Sequence, residues 1–238
     1  MDEQFDKKIE QNTINFETEA EASSMEPVPE KKFNLGKEIF EWIYTIAIAL
    51  VIAFLIKGFI FDVVRVDGPS MKPTLQHNDR LIITKLGYKP QQGDIVILDS
   101  SYKNRVNYYD NLEIKSGKEM NWLTKAFTYP SLPSNLKRRF YVKRVIALPG
   151  QTVDIEDGKV LVDGKILEEP YISVETAITD HTISYPVTVD EDCVFVMGDN
   201  RNNSKDSRSS ELGQVPIKAI MGKSQIRIFP FNSIGFTK

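Results

Sequence analysis

The sequence predicts a mainly β protein: an antiparallel β-sheet or barrel-like domain that follows one N-terminal transmembrane helix. Three observations predict it. Ile39–Phe61 is a run of 23 mostly apolar residues, and a membrane-spanning helix needs ~20. Beyond it, short runs of β-branched and aromatic residues alternate with turn signals, including two Asp-Gly pairs, the pattern of antiparallel meanders. No long amphipathic helix is expected after the span.

Taken in order, residues 1–34 form an acidic head. Residues 1–30 hold nine acids and two lysines, although the whole chain carries only −3. A segment so charged and so poor in aromatics cannot bury enough apolar surface to offset its ordering entropy, so it is expected to be disordered and simply solvated. The span is expected over residues 35–62. Trp42 and Tyr44 suit an interfacial aromatic belt, and Lys57 can extend its amine to the far interface. A buried core helix would not be apolar all round, and a cleavable leader would not follow some 38 residues of other chain. Lys31, Lys32 and Lys37 before the span outweigh Lys57 and Arg65 after it, which favours a cytoplasmic N-terminus and an external domain over residues 63–238.

Within that domain, strands are expected at Asp79–Lys85, Gly93–Leu98, Tyr141–Ile146, Val187–Val189, Cys193–Met197 and Gln225–Phe229. Val153–Val162 reads as a hairpin turning at Asp157-Gly158, and Asp163-Gly164 continues it. Residues 101–140 break the pattern with eight bases, three acids and interleaved aromatics. That insertion reads either as a surface lying on anionic lipid or as a solvated excursion with its own small apolar cluster. Nucleic acid uses similar chemistry, but an external domain does not meet it. The single cysteine, Cys193, sits in an apolar strand and excludes an internal disulfide; burial suits it better than catalysis. His77 and His181 are isolated, without metal-ligand spacing, and no cofactor is expected.

Candidate chemistry lies in three pieces. Gly68-Pro69-Ser70-Met71-Lys72-Pro73-Thr74-Leu75 holds a serine between residues that fix the backbone. By itself it is an ordinary turn. A serine nucleophile needs an adjacent base, and no histidine is well placed. A lysine serves if burial disfavours its ammonium form. Strand alternation puts Lys143 and Arg144 on opposite faces, so one of them lies inside. On spacing alone, Lys143 reads as a solvated strand lysine. The third piece is the polar loop Gly198–Arg208.

GPSMKPTL, YVKRVIALPG and MGDNRNNSKDSR, in this order after a single span and with GDIVIL between the first two, resemble the bacterial type I signal peptidases, the Gram-positive kind in particular. The resemblance covers residues 39–100 and 141–232. It implies that Ser70 is the acylating nucleophile, Lys143 the general base, and Ser204 a hydroxyl that hydrogen-bonds and orients the amine. It implies that Asp206 and Arg208 pair to hold their loop, with Asp199 and Arg201 also structural. Val66, Met71, Leu75, Tyr141 and Val142 match positions lining shallow pockets for the small side chains at the first and third residues before the cut. Many Gram-negative members carry a serine two residues before the nucleophile that helps form the oxyanion hole; here that position is Gly68, leaving the backbone N–H of Ser70. The resemblance implies a single-pass enzyme of the bacterial plasma membrane that cuts signal peptides from exported preproteins after a small-x-small site, with the lipid bilayer as surroundings, no nucleic acid and no obligate protein partner. Two alternatives remain at this point: a non-catalytic relative assisting surface-protein or pilus assembly, and a self-cleaving repressor, which shares the Ser/Lys chemistry but needs a DNA-binding head.

Overall fold

The computed structural model describes residues 35–178 and 180–237. The acidic head, with Lys31 and Lys32, lies outside the described residues. The described residues divide into two units, one running to Leu50 and one beginning at Val51.

Helix α1 spans Leu35–Leu55. Its 21 residues reach about 30 Å at 1.5 Å per residue, and none of its side chains is buried. A helix exposing Ile, Val, Leu and Phe all round cannot be settled in water. One π-helical turn, Ile56–Ile60, extends the apolar helix to Ile60. Phe61 and Asp62 already belong to strand β1 (Phe61–Arg65).

The second unit is built on two antiparallel sheets. The larger takes β1, β2 (Arg80–Thr84), β11 (Ile220–Phe229), β3 (Ile95–Asp99), β4 (Phe140–Ala147), β9 (Cys193–Met197) and β10 (Val215–Pro216) in that spatial order, with β12 (Gly235–Phe236) paired to β11. The smaller orders β7 (Lys165–Ile166), β6 (Lys159–Val162), β5 (Thr152–Glu156) and β8 (Val187–Thr188). Both Asp-Gly turns form as read. Asp157 and Gly158 have φ of 48° and 74°, Asp163 and Gly164 of 52° and 73°, the double positive-φ geometry that joins tight hairpins.

Strand β3 is buried along its whole length, because both faces of the large sheet are covered. Ile95 and Ile97 pack with Val66, Met71, Leu75 and Val142. Val96 and Leu98 pack with Val145, Val194 and Val196. The period-2 alternation of a strand thus feeds two cores. The first of them pins the loop between β1 and β2 onto the sheet. Cys193 is buried, 7% exposed, and burial pushes its thiol up.

The insertion departs from expectation. It forms two helices, α2 (Tyr102–Ser116) and α3 (Trp122–Thr128), where no long amphipathic helix was read. The reason lies in its buried face. Helix α2 turns Arg105 and Tyr109 inward, and Arg105 pairs with buried Asp99 at 2.5 Å. An inward stripe of arginine and tyrosine does not register as an apolar periodicity. Gly117 ends α2 in the left-handed region at φ 63°, and Asn121 caps α3 by accepting from the Thr124 N–H at 2.9 Å. Tyr109, Leu132 and Leu136 form a small core of the insertion's own.

Candidate active site

The site is assembled by sheet register. β4 pairs β9 with Arg144 opposite Met197, so the loop that begins at Gly198 starts beside Lys143. The Ser70 loop is pressed onto the same region by Met71 and Leu75, each 1% exposed. Its own bonds fix it: Lys72 N–H to Pro69 O at 3.1 Å, Leu75 N–H to Met71 O at 2.9 Å, Val66 N–H to Asp79 O at 2.8 Å. Two bonds from Asn200 bind it to the polar loop, backbone N–H to Ser70 O at 3.1 Å and side-chain Nδ2 to Pro69 O at 3.2 Å. Gly68 has φ 92°, and its N–H donates to His77 Nδ1 at 3.2 Å. His77 therefore braces this loop. The Ser70 backbone N–H donates to no group among the described residues.

Lys143 is 3% exposed. Its Nζ lies 2.9 Å from Ser70 Oγ and donates to Val142 O at 3.0 Å. The Tyr141 ring centre is 5.2 Å from Nζ. Burial lowers the amine from its ordinary 10.5 to about 8; Asp206 and Asp199 oppose this by favouring the ammonium, and Arg208 adds to it. A chemically accessible neutral lysine beside a half-buried serine hydroxyl is what a serine–lysine pair requires. Arg144 is buried as well, 2% exposed, so the strand holds both of its cations inside.

The polar loop supports the amine by charge. Asp206 accepts from Arg208 Nε and Nη2, both at 2.9 Å, and from the Gly198 N–H at 3.0 Å. Burial raises the Asp206 carboxyl, but the Arg208 bonds and charge outweigh it and hold it below the usual range. Ser207 ties the loop to β9 through two 3.0 Å bonds with Val196. Asp199 accepts from Arg144 Nε at 2.9 Å and Nη2 at 2.7 Å, and also from the Thr74 hydroxyl, which links the nucleophile loop to β4. Arg201 pairs with Glu169 and bonds Thr176. Arg144 also stacks on Tyr171, 3.8 Å from the ring centre.

Ser204 differs from expectation. Among the described residues its buried hydroxyl has no hydrogen-bond partner, the Lys143 amine included, though it lies close enough to the Asp206 carboxyl to help hold it down. The amine bonds Ser70 Oγ and Val142 O. Ser204 is packed against Gly198: a Cβ added to Gly198 would sit 2.2 Å from Ser204 Oγ and 2.4 Å from Ser70 O. Gly198→Ala must push the serine loop and the polar loop apart. A displacement of ~1 Å can cost ~10²-fold, and steady-state kcat/KM of that variant against a cleavable peptide should fall by at least this factor. Activity within twofold of wild type would show that the two loops can separate freely (about twofold being within ordinary assay scatter).

A cleft of about 230 Å³ opens beside Ser70 and Lys143, lined by Val66, Tyr141 and Val142 among others. Met71 and Leu75 do not line it, because the Ser70 turn directs both into the core. Arg65, Asn203 and Lys205 form a polar part of its wall. Sequence reasoning passed over Gly198, Asn200, Thr74, Glu169 and Tyr171. Gly198 and Asn200 carried a signal as members of the polar loop, and Thr74 as a member of the serine stretch; Glu169 and Tyr171 carried none.

Residues 39–229 match the family model described as signal peptidase, peptidase S26. A signal peptidase I of Bacillus licheniformis is 37% identical over 214 residues, covering 86% of this chain and 96% of that protein. A signal peptidase I of Leptolyngbya laminosa is 35% identical, covering 83% of each. Signal peptidase I S of Bacillus subtilis strain 168 is 34% identical, covering 83% of this chain and 93% of that protein. With the serine and lysine of the motifs held at bonding distance, the chain belongs to the signal peptidase family, peptidase S26.

Proposed function

We propose that the protein is a membrane-anchored serine endopeptidase that cuts signal peptides from exported preproteins after a small-x-small site. Family membership supports the activity, and one observation carries the mechanism: Lys143 Nζ stands 2.9 Å from Ser70 Oγ in a buried setting that favours the neutral amine.

The Lys143 lone pair takes the Ser70 hydroxyl proton as Oγ attacks the scissile carbonyl. The oxygen that gains charge is met by the Ser70 N–H, a donor left open for it; Gly68 offers no side chain to help. The Lys143 ammonium passes its proton to the departing amine, leaving the signal peptide as an ester on Ser70. Neutral Lys143 then takes a proton from water, which attacks the ester, and the proton returns to Ser70 Oγ. Asp206 with Arg208, and Asp199 with Arg144, position the base by holding its surroundings. Val66, Tyr141 and Val142 form the apolar wall for small side chains before the cut. Arg201 works at a distance, holding the polar loop to the Glu169 segment.

The apolar helix through Ile60 supports a single-pass plasma-membrane protein. The lysines before it set the N-terminus in the cytoplasm and residues 63–238 outside. Anchor and substrate then share one bilayer. The enzyme needs no cofactor and no obligate protein partner. A non-catalytic role in surface assembly is not favoured, since both reacting groups are present at bonding distance.

The test is cleavage of a model preprotein by detergent-solubilised protein. Ser70→Ala should leave no processing above background while the protein stays folded. Enlarging either small residue of the preprotein's small-x-small site should block cutting by the wild type. Processing retained by Ser70→Ala would overturn the nucleophile, and indifference to the enlarged residues would overturn the specificity.

A further inference from the structure

We propose that the α2–α3 insertion is a lipid-docking surface, with the outward apolar face of α3 seated in the interface of an anionic phospholipid bilayer. Helix α3 is amphipathic in the reverse sense of a packed helix. Trp122, Leu123 and Phe127 are 75%, 45% and 83% exposed, and Ala126 is exposed with them. Positions 122, 123, 126 and 127 share one helical face. The other side is turned to the insertion: Lys125 reaches Glu113 at 3.1 Å and lies over the Tyr109 ring. On α2, Ile114 is also open to solvent, 79% exposed. Tryptophan and phenylalanine so open to water, grouped rather than scattered, mark a contact surface.

Charge selects what that surface contacts. Lys115, Lys118, Lys137 and Arg139 are exposed, and none has a carboxylate partner among the described residues. An exposed apolar face with a tryptophan, in an insertion that carries exposed cations, is the chemistry of an interfacial helix on anionic headgroups.

Position agrees. The insertion leaves the sheet at Asp99 and returns at Phe140, which are paired. Ile220 pairs with Leu98, Lys223 with Thr84, and Thr84 with Phe61. Followed across the sheet, this register puts the insertion at the same end of the sheet as Phe61, the first residue of β1. Leu86 and Phe140, 69% and 50% exposed, stand at that end too.

The proposal does not depend on the peptidase reading, and its test needs no substrate. The chain has two tryptophans, so Trp42→Phe in the full-length protein leaves Trp122 as the reporter. The protein is placed in nanodiscs of phosphatidylcholine alone, or with added phosphatidylglycerol, with and without brominated acyl chains. With phosphatidylglycerol, Trp122 emission should shift to the blue, lose intensity to the brominated lipid and become shielded from acrylamide. In phosphatidylcholine alone these effects should be weaker. Lys115→Gln and Lys118→Gln should each lower the docked-to-free ratio about fivefold, and Phe127→Ser should abolish docking. Full acrylamide access in both lipids overturns the proposal, as does shielding that ignores lipid charge and the lysine variants. If Phe127→Ser impairs processing in cells while Trp122 stays open to acrylamide in lipid, the face serves a protein partner and the lipid proposal fails.

Discussion

Lys143→Ala is expected to lower kcat/KM by about 10²–10⁴-fold, the range in which a positioned general base contributes. The pH profile makes the expectation specific. Only the neutral amine can accept the Ser70 proton. Because burial sets Lys143 at about 8, wild-type kcat/KM should climb about tenfold per pH unit below that value and level off above it. Lys143→Arg keeps the charge and the length but stays protonated at every accessible pH, so it should be as inactive as the alanine variant. Ser70 and Lys143 act as a unit, so the double variant should be no worse than Ser70→Ala alone. Multiplicative losses would show that the two groups act separately.

The same burial has a stability cost with a definite sign. The unfolded lysine holds its proton up to 10.5, the folded one only to about 8. Between these values the unfolded state binds more protons, so stability rises with pH across that window, and below it the full penalty applies. The displacement is worth on the order of 3 kcal/mol. Lys143→Met should therefore unfold at a higher temperature than wild type at pH 7, with the gap closing toward pH 10. A variant destabilised at pH 7 would mean that the ammonium is well solvated in place, and the acid limb of the activity profile would lose its explanation.

Much of the fold was legible because its signals are local. Asp157-Gly158 and Asp163-Gly164 impose their turns whatever surrounds them, and Ile39–Phe61 can suit only an apolar setting. The helices of residues 101–140 were hidden because α2 buries Arg105 and Tyr109 while α3 shows its apolar face to the outside, inverting the pattern by which helices are read. The site was legible only through its motifs. Ser70 and Lys143 are brought together by the packing of Met71 and Leu75 onto β3 and by the β4–β9 register, neither of which spacing along the chain encodes. Ser204 lies beside Gly198 and Asp206, in keeping with a supporting role, and among the described residues its hydroxyl has no hydrogen-bond partner. Glu169 and Tyr171 come from a stretch with no chemical signature, and only the folded chain sets them against Arg201 and Arg144.

Asp199→Asn is expected to destabilise the folded protein strongly. The Asp199 side chain is fully buried and that of Arg144 is 3% exposed. The carboxylate answers two guanidinium donors and the Thr74 hydroxyl at once. Removing one partner of such a buried pair costs about 3–5 kcal/mol, which chemical denaturation of the purified protein would register as a lower midpoint. Adding Arg144→Met should recover much of the loss, because two neutral side chains fill the space without an uncompensated charge. Activity should respond in a second, independent way. Asp199 favours the Lys143 ammonium, so in the folded fraction of Asp199→Asn the acid limb of kcat/KM should move to lower pH. A destabilised variant whose acid limb moves to higher pH would contradict this electrostatic account of the base, and an unchanged denaturation midpoint would contradict the pairing. If both effects occur with the expected signs, Asp199 has two opposed roles: it joins the serine loop to β4 through Thr74 and Arg144, and it holds the proton affinity of Lys143 above what burial alone would set.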